Sequence, residues 1–138
     1  MMRIAAALQA AQMQATLARA DTGAGQACIR VYATARPAQP GNHNDTPLCE
    51  IALPKPCGTV TGGALTLAPN ANGMVLQPGI PRWAEWIAAD GAVLMDAPVT
   101  DASNGGDFIV SGATTAPGET APAFMAGALL ALGAVVLT

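Results

Sequence analysis

Apolar and polar positions alternate with period two over most of the chain and switch to a helical spacing only at its start. The clearest run is 82–99, Arg-Trp-Ala-Glu-Trp-Ile-Ala-Ala-Asp-Gly-Ala-Val-Leu-Met-Asp-Ala-Pro-Val, which reads as a β-hairpin. Asp90-Gly91 suits a tight turn, because Gly91 carries no Cβ to oppose positive φ. With these two at the centre of the turn, Ala89 faces Ala92, Ile87 faces Leu94, Trp86 faces Met95 and Glu85 faces Asp96. Ala84, Trp86, Ala88, Val93, Met95 and Ala97 then form an apolar face, the core candidate. Trp83, Glu85, Ile87, Leu94 and Asp96 form a mixed face that sets two carboxylates opposite each other. A three-residue loop, Ala89-Asp90-Gly91, with a bulge is the alternative; it shifts the pairing by one and relieves that opposition.

Residues 4–20 are rich in Ala, Leu, Gln and Met and predict a helix ending near Gly23. Its apolar side chains divide between an Ile4, Leu8, Ala11, Ala15 stripe and an opposite one with Ala6, Ala10, Met13 and Leu17. After a linker at 21–25, strands are expected at 28–33, 48–53, 59–68, 74–77 and 107–111, with one or two more in 124–138. The Gly62-Gly63 pair inside 59–68 is either a hairpin turn or a bend. Segment 36–47, with three prolines, Gly41 and three Asn or Asp residues, must be a surface loop. One helix followed by about eight short strands at roughly ten-residue spacing is the cadence of an antiparallel, jelly-roll-like β-sandwich. A single domain over 1–138 is expected, with the helix in 1–22 and the sandwich in 26–138.

Composition sharpens this reading. Of the 138 residues, 51% are hydrophobic and only 11% charged, so small and apolar groups must cover much of the surface. Such a surface suits a subunit with a permanent neighbour. A net charge of −3 with six Lys and Arg and no basic run argues against nucleic acid. Residues 121–138 are nearly free of polar groups, yet they are barely long enough to span a bilayer and lack flanking cations. Buried strands explain them better, and no membrane partner is expected.

Candidate chemistry is sparse. Cys28, Cys49 and Cys57 have no C-x-x-C spacing and read as small buried thiols, with no metal or cofactor implied. His43, two residues from Asp45, reads as a solvent-exposed loop histidine in preference to a base with its orienting carboxylate. Glu85 and Asp96 form a carboxylate pair of the kind glycosidases use, or simply a polar strand side. No nucleophile elbow, P-loop, H-E-x-x-H or EF-hand motif occurs, so no catalytic role is expected. Trp86 reads as core, whereas Trp83 beside Arg82 is either packed in a second layer or an interface anchor.

The N-terminal helix, the strand at 29–33 with its Pro-rich loop, the 83–99 hairpin and the terminal Ala134-Val135-Val136-Leu137-Thr138 together carry a likeness. In the order of these elements the chain resembles capsid cement (decoration) proteins of tailed bacteriophages, those of short-tailed Bordetella phages in particular. The resemblance implies a jelly-roll subunit on the outer surface of the virion head, assembled in the host cytoplasm. It implies the major capsid protein as partner and self-association as a dimer in preference to a trimer. It brings no catalytic residues. The contact residues expected are Arg82, Trp83, Arg36, Pro37, Asn42 and His43. The rival expectations are a tail or head-completion protein and a small carbohydrate-binding β-sandwich.

Overall fold

A computed structural model describes residues 1–138 as one α-helix followed by ten strands. Helix α1 (Ala6–Ala20) precedes β1 (Cys28–Tyr32), β2 (Cys49–Ala52), β3 (Gly58–Thr61), β4 (Ala64–Leu67) and β5 (Gly73–Met74). Then come β6 (Trp83–Ile87), β7 (Val93–Thr100), β8 (Phe108–Ser111), β9 (Leu129–Leu132) and β10 (Val135–Leu137). Seven strands form one sheet in the order β2-β1-β6-β7-β8-β9-β5, and a second sheet runs β10-β4-β3. The class is the expected one, a mainly β sandwich with an N-terminal helix. The count exceeds eight because 59–68 and 124–138 each divide into two strands. Gly62 and Gly63 make the first division a hairpin, at φ +61° and +84°, the sign a tight turn needs at both central positions.

One pairing departs from the antiparallel pattern: β8 runs parallel to the end of β7, with Val99 opposite Phe108 and Thr100 opposite Ile109. The intervening loop folds on itself to allow it. Asp101 accepts from the Ser103 and Asn104 backbone N–H groups and from the Thr115 hydroxyl, while Thr100 Oγ1 accepts the Gly106 N–H.

The core lies between the two sheets and is built from the inward positions of both, including Ile29, Val31, Ile51, Leu65, Leu67, Trp86, Phe108, Phe124 and Leu130. Of the two helix stripes, Met13 and Leu17 pack against this core, and Ile4 and Leu8 stay exposed. Below the helix end, Asp21 accepts the Cys57 N–H, Arg19 pairs with Asp90 at 3.0 Å, and the Ala89 N–H donates to the Ala20 carbonyl. The first ties the helix end to the start of β3, and the other two seat it on the β6–β7 turn. At 15 residues it is too short to cross a membrane as a helix.

That turn corrects the two-residue register. Ala88 donates its N–H to the Ala92 carbonyl, enclosing Ala89-Asp90-Gly91 as a three-residue loop, and Ile87 pairs with Val93 instead of Leu94. Leu94 is then the extra residue of a bulge, which moves the register back by one. Trp86 therefore still faces Met95, and Glu85 still faces Asp96. Loop and bulge cancel, so the carboxylates remain opposed.

Candidate functional site

A single core face on this hairpin was expected, but both faces are covered. Ala84, Trp86 and Ala97 enter the main core, while Trp83, Glu85, Ile87 and Asp96 are buried on the other side. Loop 36–47 packs over that second side, and its polar residues hold it there. Thr34 donates to the Asp45 carboxylate at 2.9 Å and accepts from the Trp83 indole at 3.4 Å.

His43 sits at the centre of this cover. The reading of it as an exposed, idle histidine is corrected: its side chain is only 11% exposed, because the prolines and Gly41 turn the loop inward over β1 and β6. Its ring stands edge-on to both Tyr32 and Trp83 at 4.9 Å, and those two rings stack on each other at 4.3 Å. The Asp45 N–H donates to His43 Nδ1 at 3.1 Å, which puts the ring proton on Nε2. Nε2 then donates to Glu85 Oε2 at 3.0 Å, and the Tyr32 hydroxyl donates to Glu85 Oε1 at 2.6 Å. Burial, reinforced by that hydrogen bond to a carboxylate, pushes the Tyr32 hydroxyl far above its ordinary pKa.

The second carboxylate has its own partner. Arg36 Nε donates to Asp96 Oδ1 at 2.7 Å, and Nη2 reaches the same oxygen at 2.6 Å and the Asp96 carbonyl at 3.1 Å. Asp96 Oδ2 and the Trp86 indole N–H are the two buried side-chain polar atoms with no hydrogen-bond partner in the chain.

A general base needs a free lone pair and room for a substrate beside it. Here the His43 lone pair is taken by Asp45, and none of the four surface cavities is lined by His43, Glu85, Tyr32 or Trp83. The arrangement acts as a clamp that holds loop to sheet. The three thiols are buried, and Cys28 lies near the cluster, opposite Ile87 on the strand that carries Glu85. Burial pushes Cys28 and Cys49 up to about 11 and Cys57 to about 12, with Glu50 adding to the first two and Asp21 to the third. No group of three or more His, Cys, Asp or Glu side chains converges as metal ligands do.

The six expected contact residues therefore separate. Trp83 is fully buried beneath the loop, so of its two readings packing is the one realised; it offers no surface to a partner. Arg82 is exposed and pairs with Glu119 at 2.9 Å. Arg36 is half exposed above Asp96, Pro37 lines a cavity beside it, and Asn42 lies exposed on the loop.

An exposed apolar ribbon on the other end of the large sheet was missed. Residues 74–79 run antiparallel to 124–129, with Met74 opposite Leu129 and Gly79 opposite Phe124. The inward positions Val75, Phe124 and Leu130 are buried. Outward, Met74, Leu76, Met125 and Leu129 are 55–70% exposed. An apolar run without alternation reads as a strand buried on both faces, so the sequence concealed this surface. No family model, curated protein or solved structure matches the chain.

Proposed function

We propose that this protein is a capsid cement protein, a structural subunit that binds the outer surface of a phage head and bridges its major capsid proteins. The observation that carries the reading is the Met74, Leu76, Met125, Leu129 ribbon, four large apolar side chains turned to solvent along the antiparallel pair of segments 74–79 and 124–129. Surfaces of this kind favour protein contact. Covering them yields about 4–7 kcal/mol gross, from the usual value for burying such side chains scaled to their exposure. Immobilising a protein costs an estimated 4–15 kcal/mol, so a single contact of this size holds weakly.

Weak contacts suit a lattice. A subunit touching two neighbours gains from effective concentration, and binding the assembled shell but not free subunits stabilises the shell by mass action. The inward commitment of every group in the His43–Glu85 cluster also favours a structural role over a catalytic one.

The experiment is to mix the purified protein with expanded, undecorated heads of a short-tailed Bordetella phage, pellet them, and quantify bound copies per head. Hundreds of copies, with heads becoming harder to disrupt, support the reading. About a dozen copies point to a tail or head-completion protein, and no binding overturns attachment to the head.

A further inference from the structure

Of the five asparagines in the chain, Asn72 and Asn104 are the two followed by glycine, and the fold treats the two pairs differently. Asn72-Gly73 enters β5, where Gly73 is buried opposite Leu130 and packed so closely on Cys49 and Ile51 of β2 that a Cβ would collide with them. Asn104-Gly105 lies in the exposed turn between β7 and β8. Gly105 has open space around it, and its N–H makes no hydrogen bond within the chain. Asn104 Nδ2 donates to Asp101 Oδ1 at 2.7 Å, a contact exposed to water, which competes for both partners.

We propose that Asn104 is a site of spontaneous deamidation, and that its conversion to aspartate or isoaspartate loosens the turn that sets β8 beside β7. The Gly105 backbone nitrogen, once it has given its proton to hydroxide, forms a bond to Asn104 Cγ. The Cγ–Nδ2 bond breaks, and Nδ2 takes a proton from water and leaves as ammonia. Glycine favours this step because no Cβ obstructs the approach of its nitrogen. Water then opens the cyclic imide: addition at Cγ leaves aspartate at 104, and addition at the backbone carbonyl leaves isoaspartate, in which the chain runs through the side-chain carbon. In sum one water is consumed and one ammonia released, with no oxidant or reductant.

Asp101 is the hub that this reaction disturbs. Its carboxylate accepts from the Ser103 and Asn104 backbone N–H groups, from Asn104 Nδ2 and from the Thr115 hydroxyl. Deamidation turns one of these donors into a second carboxylate, so an attraction becomes a repulsion. Next in the chain, the Gly106 N–H donates to Thr100 Oγ1 at 2.7 Å, and beyond it β8 meets β7 only through Val99 with Phe108 and Thr100 with Ile109.

The test uses the full chain, incubated folded at neutral and mildly alkaline pH, with mass-spectrometric peptide mapping to count aspartate and isoaspartate at positions 72 and 104. Conversion at 104 is expected to be at least about tenfold faster than at 72, because reaction at Gly73 waits on local opening of β5. In guanidinium the two rates are expected to converge. Asn104→Asp shows the consequence without waiting for the reaction: hydrogen exchange at the Ser103 and Gly106 amides is expected to quicken at least about tenfold, and less in the neutral control Asn104→Ser. Equal conversion at 72 and 104 in folded protein, or none at 104, overturns the site. Unchanged exchange in Asn104→Asp overturns its effect on the turn. Neither outcome depends on attachment to a phage head.

Discussion

Glu85 stands directly opposite Asp96 across β6 and β7, and both side chains are buried. Like charges in that position repel, so each carboxylate depends on a partner from loop 36–47. Arg36→Ala leaves Asp96 without a counter-charge in the interior. The expected loss is about 2–4 kcal/mol, somewhat below that for a fully buried pair because Arg36 itself is half exposed. Adding Asp96→Asn removes the stranded charge and should recover at least half of the loss. Guanidinium unfolding of both variants checks this; strictly additive losses would count against a coupled pair.

Tyr32 is the only tyrosine in the chain, so its ionisation can be followed directly at 295 nm. Its folded-state pKa lies far above the ordinary value near 10, owing to burial first and then to its hydrogen bond to Glu85. A raised pKa means that the stability from this group is fully present below about pH 10 and is lost as pH rises beyond it. The expected result is no tyrosinate signal in folded protein above pH 10, with stability falling by up to about 1.4 kcal/mol per pH unit there. A reversible signal near pH 10 without unfolding would show the hydroxyl to be exposed.

Which of these features the sequence discloses depends on how far apart the interacting residues lie. The helix, the hairpin at 82–99 and the sandwich class follow from neighbours a few positions apart, through period and turn chemistry. The Gly62-Gly63 hairpin is local in the same way. The partners of Glu85 and Asp96 are not: His43 and Arg36 arrive from 42 and 60 residues away, inside a stretch whose composition says only loop. For that reason His43 read as exposed, and Trp83 kept two readings. The three-residue loop with a bulge was legible as an alternative, but not that the bulge falls at Leu94 and undoes the shift made at the turn.

The thiols offer a test of the core. Cys28 and Cys49 are raised to about 11 and Cys57 to about 12, chiefly by burial, from an ordinary value of 9.0. Native protein at pH 8 is therefore expected to show no thiol reactive with Ellman's reagent, and three after denaturation. Their contribution to stability is complete below pH 9 and declines as pH rises toward 11–12. Rapid modification of any one in folded protein would contradict its burial.

Two glycines separate crowding from backbone strain. A Cβ on Gly73 would lie 2.8 Å from both Cys49 Sγ and Ile51 Cγ1, where β5 closes against β2. Gly73→Ala should cost about 1–3 kcal/mol through that overpacking. Gly91 has open space around it but φ of +92°, so Gly91→Ala should cost only about 1–2 kcal/mol, from strain alone. The distinguishing measurement adds Cys49→Ala to each: the second substitution should offset part of the Gly73 loss and none of the Gly91 loss.

The ribbon of Met74, Leu76, Met125 and Leu129 separates folding from attachment. Met74 and Met125 are both exposed and do not stand opposite each other, so Met74→Glu with Met125→Glu removes apolar surface without opening the core or pairing like charges across the strands. Stability is expected to move by no more than about 0.5 kcal/mol per site, as for surface changes generally. Two carboxylates in a contact that excludes water are costly, and on a lattice the penalty is repeated at every subunit. Copies bound per head in the pelleting assay should therefore fall at least about tenfold, a change that needs only about 1.4 kcal/mol per site. Undiminished binding by a variant of normal stability would take the ribbon out of the contact.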